Sequence, residues 1–147
     1  MSKKDKMLGG YISQLYRFGS AFITKELSKF NIGYGQFMFL IELYRYESIC
    51  QEELAEILHI DKGTTARAIK KLEEQEYVIR VKDTSDRRAY KLSVTDKAKE
   101  IEPHIKNILY DWNDKLTSNL TEDEKKMTLE LMSKIAKNQR ICAGKEK

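Results

Sequence analysis

Two adjacent arginines, Arg87 and Arg88, follow a polar, turn-forming run, Asp83-Thr84-Ser85-Asp86. A guanidinium pair held on such a tip can donate to phosphate oxygens or to the acceptor edges of bases. Just upstream, Asp61 to Glu74 carries a second cationic set. Lys62, Gly63, Thr64, Ala66, Arg67, Lys70 and Lys71 fall on one side of a helical wheel, with Thr65, Ala68, Ile69 and Leu72 on the other. Small residues at the start of that helix let its backbone approach a partner closely, and the basic ones supply charge. From Asp61 to Lys91 nine basic residues face six acids, so this segment holds about +3 of the chain's net +4.

Other chemistries find no residues to carry them. His59 and His104 are the only histidines, and neither has a cysteine or a second histidine three or four positions on, so no metal site is expected. No Gly-x-Gly-x-x-Gly, Gly-Lys-Ser/Thr or Gly-x-Ser-x-Gly pattern occurs, and the acid pairs Glu52-Glu53 and Glu73-Glu74 read as solvated helix faces. Neither catalysis nor a cofactor is expected. Cys50 and Cys142 have no paired spacing and read as reduced thiols. A thiol-redox-responsive regulator stays open as an alternative, although Lys and Arg do not crowd Cys50 in sequence. A dimeric protein-interaction module without DNA is the other alternative, and a pure interaction module would not need paired arginines on a hairpin tip.

The elements that must position these groups follow from periodicity. Tyr77-Val78-Ile79-Arg80-Val81-Lys82 and Ala89-Tyr90-Lys91-Leu92-Ser93-Val94 alternate on either side of the polar tip, which predicts a β-hairpin. Leu8, Ile12, Leu15, Gly19, Phe22, Ile23 and Leu27 predict a first amphipathic helix, ended by the glycines of Asn31-Ile32-Gly33-Tyr34-Gly35. A nearly all-apolar second helix runs from about Gln36 to Tyr46 and should be central. A short third helix, Gln51 to Leu58, is joined by His59-Ile60 to Asp61, a good N-cap for the basic helix. After Thr95, a long helix carries Ala98, Ile101, Ile105, Ile108, Trp112 and Leu116, with a kink expected at Pro103. Leu120-Thr121-Glu122-Asp123-Glu124 then opens a last helix with a capping box, and Met127, Leu131, Met132 and Ile135 form its apolar stripe. The fold class is therefore mainly α with a small β-hairpin wing, a winged helix-turn-helix. Its basic helix can enter a major groove while the tip reaches a minor groove, which predicts sequence-directed binding to double-stranded DNA.

A chain of 147 residues with 41% hydrophobic residues suits one soluble domain, 1–147, with a DNA-binding module over 34–95. A module that small cannot bury the apolar faces of helices in 1–32 and 96–147. Interleaving two chains would cover them, and an isologous dimer suits palindromic DNA. Trp112, Ile105 and Ile108, with Leu8, Ile12 and Leu15, are expected in or beside that interface. No run of about 18 apolar residues exists and the amino terminus is too polar for a signal-peptide core, so a cytoplasmic protein without a membrane anchor is expected.

The order of elements resembles the MarR family of regulators over nearly the whole chain. The specific match is Asp83-x-x-Asp86-Arg87-Arg88 followed by Leu92-x-x-Thr95, similar to the family's wing signature and to the threonine opening its long dimerisation helix. Asp61-Lys62-Gly63-Thr64, Arg67 and Leu72-Glu73 resemble its recognition helix. Thr84 stands where the family often has proline, and Ala98 where glycine is common. The resemblance implies a homodimeric transcriptional regulator, usually a repressor, whose operator affinity falls when a small phenolic or anionic ligand binds between the dimerisation helices and the winged module. It implies that Arg88 enters the minor groove, that Arg87 supports it at phosphate, and that Thr64, Arg67 and Lys70 face the major groove. For the ligand, Arg17 is a candidate anchor with Tyr11, Tyr34, Phe37 and Met38 as walls, suited to a small aromatic carboxylate. Pairing of Arg17 with an acid at the dimer surface is the other reading of that cation.

Overall fold

The computed structural model describes residues 7–85 and 89–142 and divides into two compact units, Met1–Trp112 and Asn113–Lys147. In chain order the elements are α1 (Leu8–Leu27), a 3₁₀ turn (Ser28–Phe30), α2 (Tyr34–Leu43), β1 (Ile49–Cys50), α3 (Gln51–Leu58), α4 (Lys62–Glu74), β2 (Val78–Lys82), β3 (Tyr90–Val94), α5 (Asp96–Thr117), α6 (Glu122–Ala136) and α7 (Gln139–Cys142). Helix and wing composition match the expected fold class.

In the first unit α2 is central, as its all-round apolarity predicts. Phe39, Leu40 and Leu43 are buried with Leu54 of α3, Ile69 and Leu72 of α4 and Leu92 of β3 in one core. α5 contributes Ala98, Ile105 and Ile108 to the same core, and the Tyr44 hydroxyl donates to the Ala98 carbonyl at 2.5 Å. Burial, aided by the Glu102 charge, raises the Tyr44 pKa, so this phenol stays a donor. α5 runs as one helix through Pro103.

Three findings differ from the sequence expectation. The glycines do not end α1. α1 stops at Leu27 and passes into the 3₁₀ turn, which Asn31 closes in the left-handed conformation at φ 57°. Gly33 is extended and caps α2, where its N–H donates to Gln36 Oε1 at 2.9 Å and an added Cβ would stand 2.5 Å from that oxygen. The wing is a three-stranded antiparallel sheet ordered β1-β3-β2, because the two-residue β1 pairs Ile49 with Leu92. Ile105 and Ile108, expected near a dimer interface, are already buried at 0% and 4% exposure within the chain. Their i, i+3 spacing marks an apolar stripe without saying which neighbour covers it.

The second unit holds α6, whose start matches the predicted capping box. Thr121 Oγ1 accepts from Glu124 N at 3.2 Å, and Glu124 Oε1 accepts from Thr121 N at 2.9 Å.

Candidate nucleic-acid interface

α4 begins at Asp61 because an exposed carboxylate satisfies donors that the helix leaves unpaired. Asp61 Oδ2 accepts from Thr64 N at 2.9 Å, and its Oδ1 accepts from Thr64 Oγ1 at 2.7 Å. These bonds hold the Asp61 carboxyl below the usual carboxylate range, the side-chain bond first and the backbone bond next. The neighbouring Thr65 turns inward, donates its hydroxyl to the Asp61 carbonyl at 2.9 Å and is fully buried. With Ala68, Ile69 and Leu72 also buried, α4 has one rotational setting, and it leaves Lys62, Gly63, Thr64, Arg67, Lys70 and Lys71 exposed.

Both helices of the helix-turn-helix end the same way. Ile60 N donates to the Ala55 carbonyl and Tyr77 N to that of Leu72, with His59 and Glu76 in the left-handed region at φ 54° and 64°. These are Schellman closures without glycine, each turning the chain sharply after its helix. Across the first turn Lys62 Nζ lies 3.4 Å from Glu52 Oε1. Sequence pattern alone presents Glu52 as merely solvated. A pairing ten residues apart across a turn leaves no periodic signal, and an exposed pair contributes only about 0–1 kcal/mol.

The wing pairs Val78 with Val94, Arg80 with Leu92 and Lys82 with Tyr90. The Arg80 guanidinium lies over the Tyr90 ring at 4.0 Å, a cross-strand brace that the alternation of the strands does not announce. Beyond the last pair Asp83 N donates to the Ala89 carbonyl at 2.9 Å. Asp83 Oδ1 accepts from Ser85 N and Oγ, which keeps the Asp83 pKa low. Arg87 and Arg88 lie outside the described residues. The described strands pair as far as Lys82 and Tyr90.

The proposed ligand group is only partly assembled. Tyr34 stands 6.4 Å from Phe37, ring to ring, and Tyr16 of α1 meets Tyr34 edge-on at 5.8 Å. Tyr16 is not among the walls expected from sequence, because a contact between separate helices leaves no periodic signal. Phe37 is 3% exposed and belongs to the core, while Tyr11 and Met38 are exposed. Arg17 Nη1 donates to Ser13 Oγ at 2.7 Å, one turn back on its own helix. Trp112 packs within the chain, stacked on Phe22 at 5.7 Å and lying against Gly19. Among the described residues no group of three or more His, Cys, Asp or Glu could hold a metal, and no helix is long and apolar enough to cross a membrane.

A model of the MarR family matches residues 32–90, from the end of the 3₁₀ turn into the wing. An uncharacterised HTH-type transcriptional regulator of Bacillus subtilis, YybA, is 32% identical over 113 residues, 77% of this chain and 75% of that protein. A MarR transcriptional regulator from Methanosarcina mazei Go1, known from its crystal structure, is 43% identical with a TM-score of 0.82, over 88% of this chain and 95% of that one. A mutant MarR from E. coli, crystallised in complex with operator DNA, is 26% identical with a TM-score of 0.78, over 87% of this chain and 92% of that one.

Proposed function

The chain belongs to the MarR family, and from that membership we propose a homodimeric repressor that binds inverted-repeat operator DNA and is released by a small aromatic or anionic ligand. It is a DNA-binding winged helix-turn-helix transcriptional regulator. The observation that carries the finer reading is the division of α4, with Thr65, Ala68, Ile69 and Leu72 buried and Lys62, Thr64, Arg67, Lys70 and Lys71 exposed beside the paired strands of the wing. That face supplies direct contacts in a major groove, and Arg87 and Arg88 supply wing contacts.

Dimerisation is supported by uncovered apolar side chains in each unit taken by itself. Leu8, Tyr11, Ile12, Leu15, Tyr16 and Phe18 are exposed on α1, and Met127, Leu129, Leu131 and Met132 on α6. A second chain packed along these helices would cover such exposed apolar side chains. The effector reading rests on the Tyr16, Tyr34 and Phe37 rings and on Arg17, one helical step from Tyr16. The protein has no catalytic role in this reading and acts in the cytoplasm, where its operator is.

Selection of tight-binding duplexes from a random pool, followed by titration across salt concentrations, tests the proposal. The expected result is an inverted repeat bound by two chains, with half-sites about one helical turn apart and affinity falling steeply with salt. Arg88→Ala should weaken that binding by about 1–3 kcal/mol. A monomer in sedimentation at micromolar concentration, or binding indifferent to salt, would sink it.

A further inference from the structure

We propose that Asp61 and Thr64 are positioning residues that hold the Arg67 guanidinium ready to read a guanine in the major groove, and that Thr64 itself reads no base. The inference rests on the reading of α4 as the groove-facing helix and assigns roles within it.

The Thr64 hydroxyl has one proton, and that proton is donated to Asp61 Oδ1 at 2.7 Å. The same hydroxyl oxygen accepts from Arg67 Nη2 at 3.1 Å. The Thr64 backbone N–H is engaged by Asp61 Oδ2. Thr64 therefore has no donor left to offer a base edge, although its position on the exposed face invites that role. The chain of bonds from Asp61 through Thr64 to Arg67 draws the guanidinium back toward the helix start. There it lies against Gly63, where an added Cβ would stand 3.4 Å from Arg67 Nη1 and 3.4 Å from Asp61 Oδ2. A side chain longer than alanine at 63 would compete for that space.

The guanidinium is held without being used up. Of its five N–H groups one goes to Thr64, which leaves an outward N–H on each terminal nitrogen, the fork that matches guanine O6 and N7. The nearby Asp61 carboxylate also selects the target. A phosphate approaching Arg67 meets that negative charge, whereas the neutral acceptor edge of guanine does not. A held side chain loses less rotamer freedom on binding, and that saving corresponds to about three- to tenfold in affinity.

The experiment uses the full chain and the tightest duplex recovered by selection, with each guanine of a half-site replaced in turn by 7-deazaguanine. The proteins are the parent, Thr64→Val, Thr64→Ser, Arg67→Ala and the Thr64→Val/Arg67→Ala pair. Thr64→Val is expected to bind about three- to tenfold more weakly and Thr64→Ser like the parent, with the double variant no weaker than Arg67→Ala. One 7-deazaguanine should weaken the parent about tenfold and leave Arg67→Ala unchanged. A Thr64→Val loss that persists in the Arg67→Ala background would show that Thr64 touches DNA itself, and parental binding by Thr64→Val would show that the relay carries nothing. Either result overturns the proposal and leaves α4 as the groove helix. Parental binding by Arg67→Ala, or recovery of no duplex at all, overturns the reading of α4 and the proposal with it. Should Thr64→Val melt at a lower temperature than the parent, Asp61→Ser replaces it, since serine caps the helix while removing the carboxylate, and the same losses are expected.

Discussion

α4 and the first half of α1 are amphipathic helices of similar pattern, yet they dispose of their apolar residues in opposite ways. In α4 Thr65, Ala68, Ile69 and Leu72 are all buried, and the outward face is polar and charged. In α1 only Gly19, Ile23 and Leu27 are buried, while Leu8, Tyr11, Ile12, Leu15, Tyr16 and Phe18 lie open. The contrast separates a region whose apolar residues are covered within one chain from a region whose apolar residues stay exposed, which the proposed dimer would cover. Unfolding of the first should not depend on protein concentration; unfolding of the second should.

The largest effect that tests this contrast is Phe39→Ala. Phe39 is among the largest fully buried side chains, and its loss should cost about 3–5 kcal/mol, equally at low and high protein concentration. Leu15→Ala should cost little in dilute solution and progressively more as concentration rises. Denaturant unfolding at two concentrations reads both. A Leu15→Ala cost independent of concentration breaks the comparison.

Gly19 marks the point along α1 where one behaviour gives way to the other. A Cβ there would stand 2.9 Å from Cε2 and Cζ2 of Trp112, so Gly19→Ala should destabilise by about 1–3 kcal/mol through overpacking. The indole would have to move from its stack on Phe22, and a shift in Trp112 fluorescence should accompany the lower melting temperature. An unchanged emission spectrum with full stability would mean that this contact is loose.

A smaller effect is expected at α6, in the second unit, where the capping box joins Thr121 and Glu124. Thr121→Ala should cost about 1 kcal/mol of helix stability, visible as reduced helical circular dichroism on warming. No loss would mean that the start of α6 is fixed by its apolar face instead.

Much of this organisation was legible in the sequence, because it depends on local pattern. The four inward positions of α4, the Asp61 cap, the ends of α3 and the Thr121 capping box all follow from spacing within one or two turns. Features that depend on distant partners were not legible. β1 has two residues, too few to show alternation, and exists only because β3 offers it a partner. Ile105 and Ile108 carry the same stripe whether the chain's own core or a second chain covers them. The relay from Asp61 to Arg67 was hidden differently: its residues all stand out by type, but spacing does not say which hydroxyl faces a carboxylate and which is free for a ligand.

The smallest effect expected is the pH dependence of that relay. Hydrogen bonds from Thr64 Oγ1 and N hold the Asp61 pKa below its unfolded value. The stabilisation is therefore present in full above the unfolded value, near pH 4, and is lost as pH falls through the lower folded value. Asp61→Asn keeps a side chain that caps α4 but cannot titrate, so the difference in melting temperature between the parent and this variant isolates the carboxylate. That difference should be level from neutral pH down to about pH 5, then move against the parent in acid. Asp83 shifts in the same direction through Ser85 and is present in both proteins, so it cancels. Because Asp61 is exposed, the amplitude should be modest. A difference that moves in the parent's favour below about pH 4 would show that the carboxylate is better served in the unfolded chain, and α4 would then owe its start to the buried Thr65 and Ile69 rather than to its charged cap.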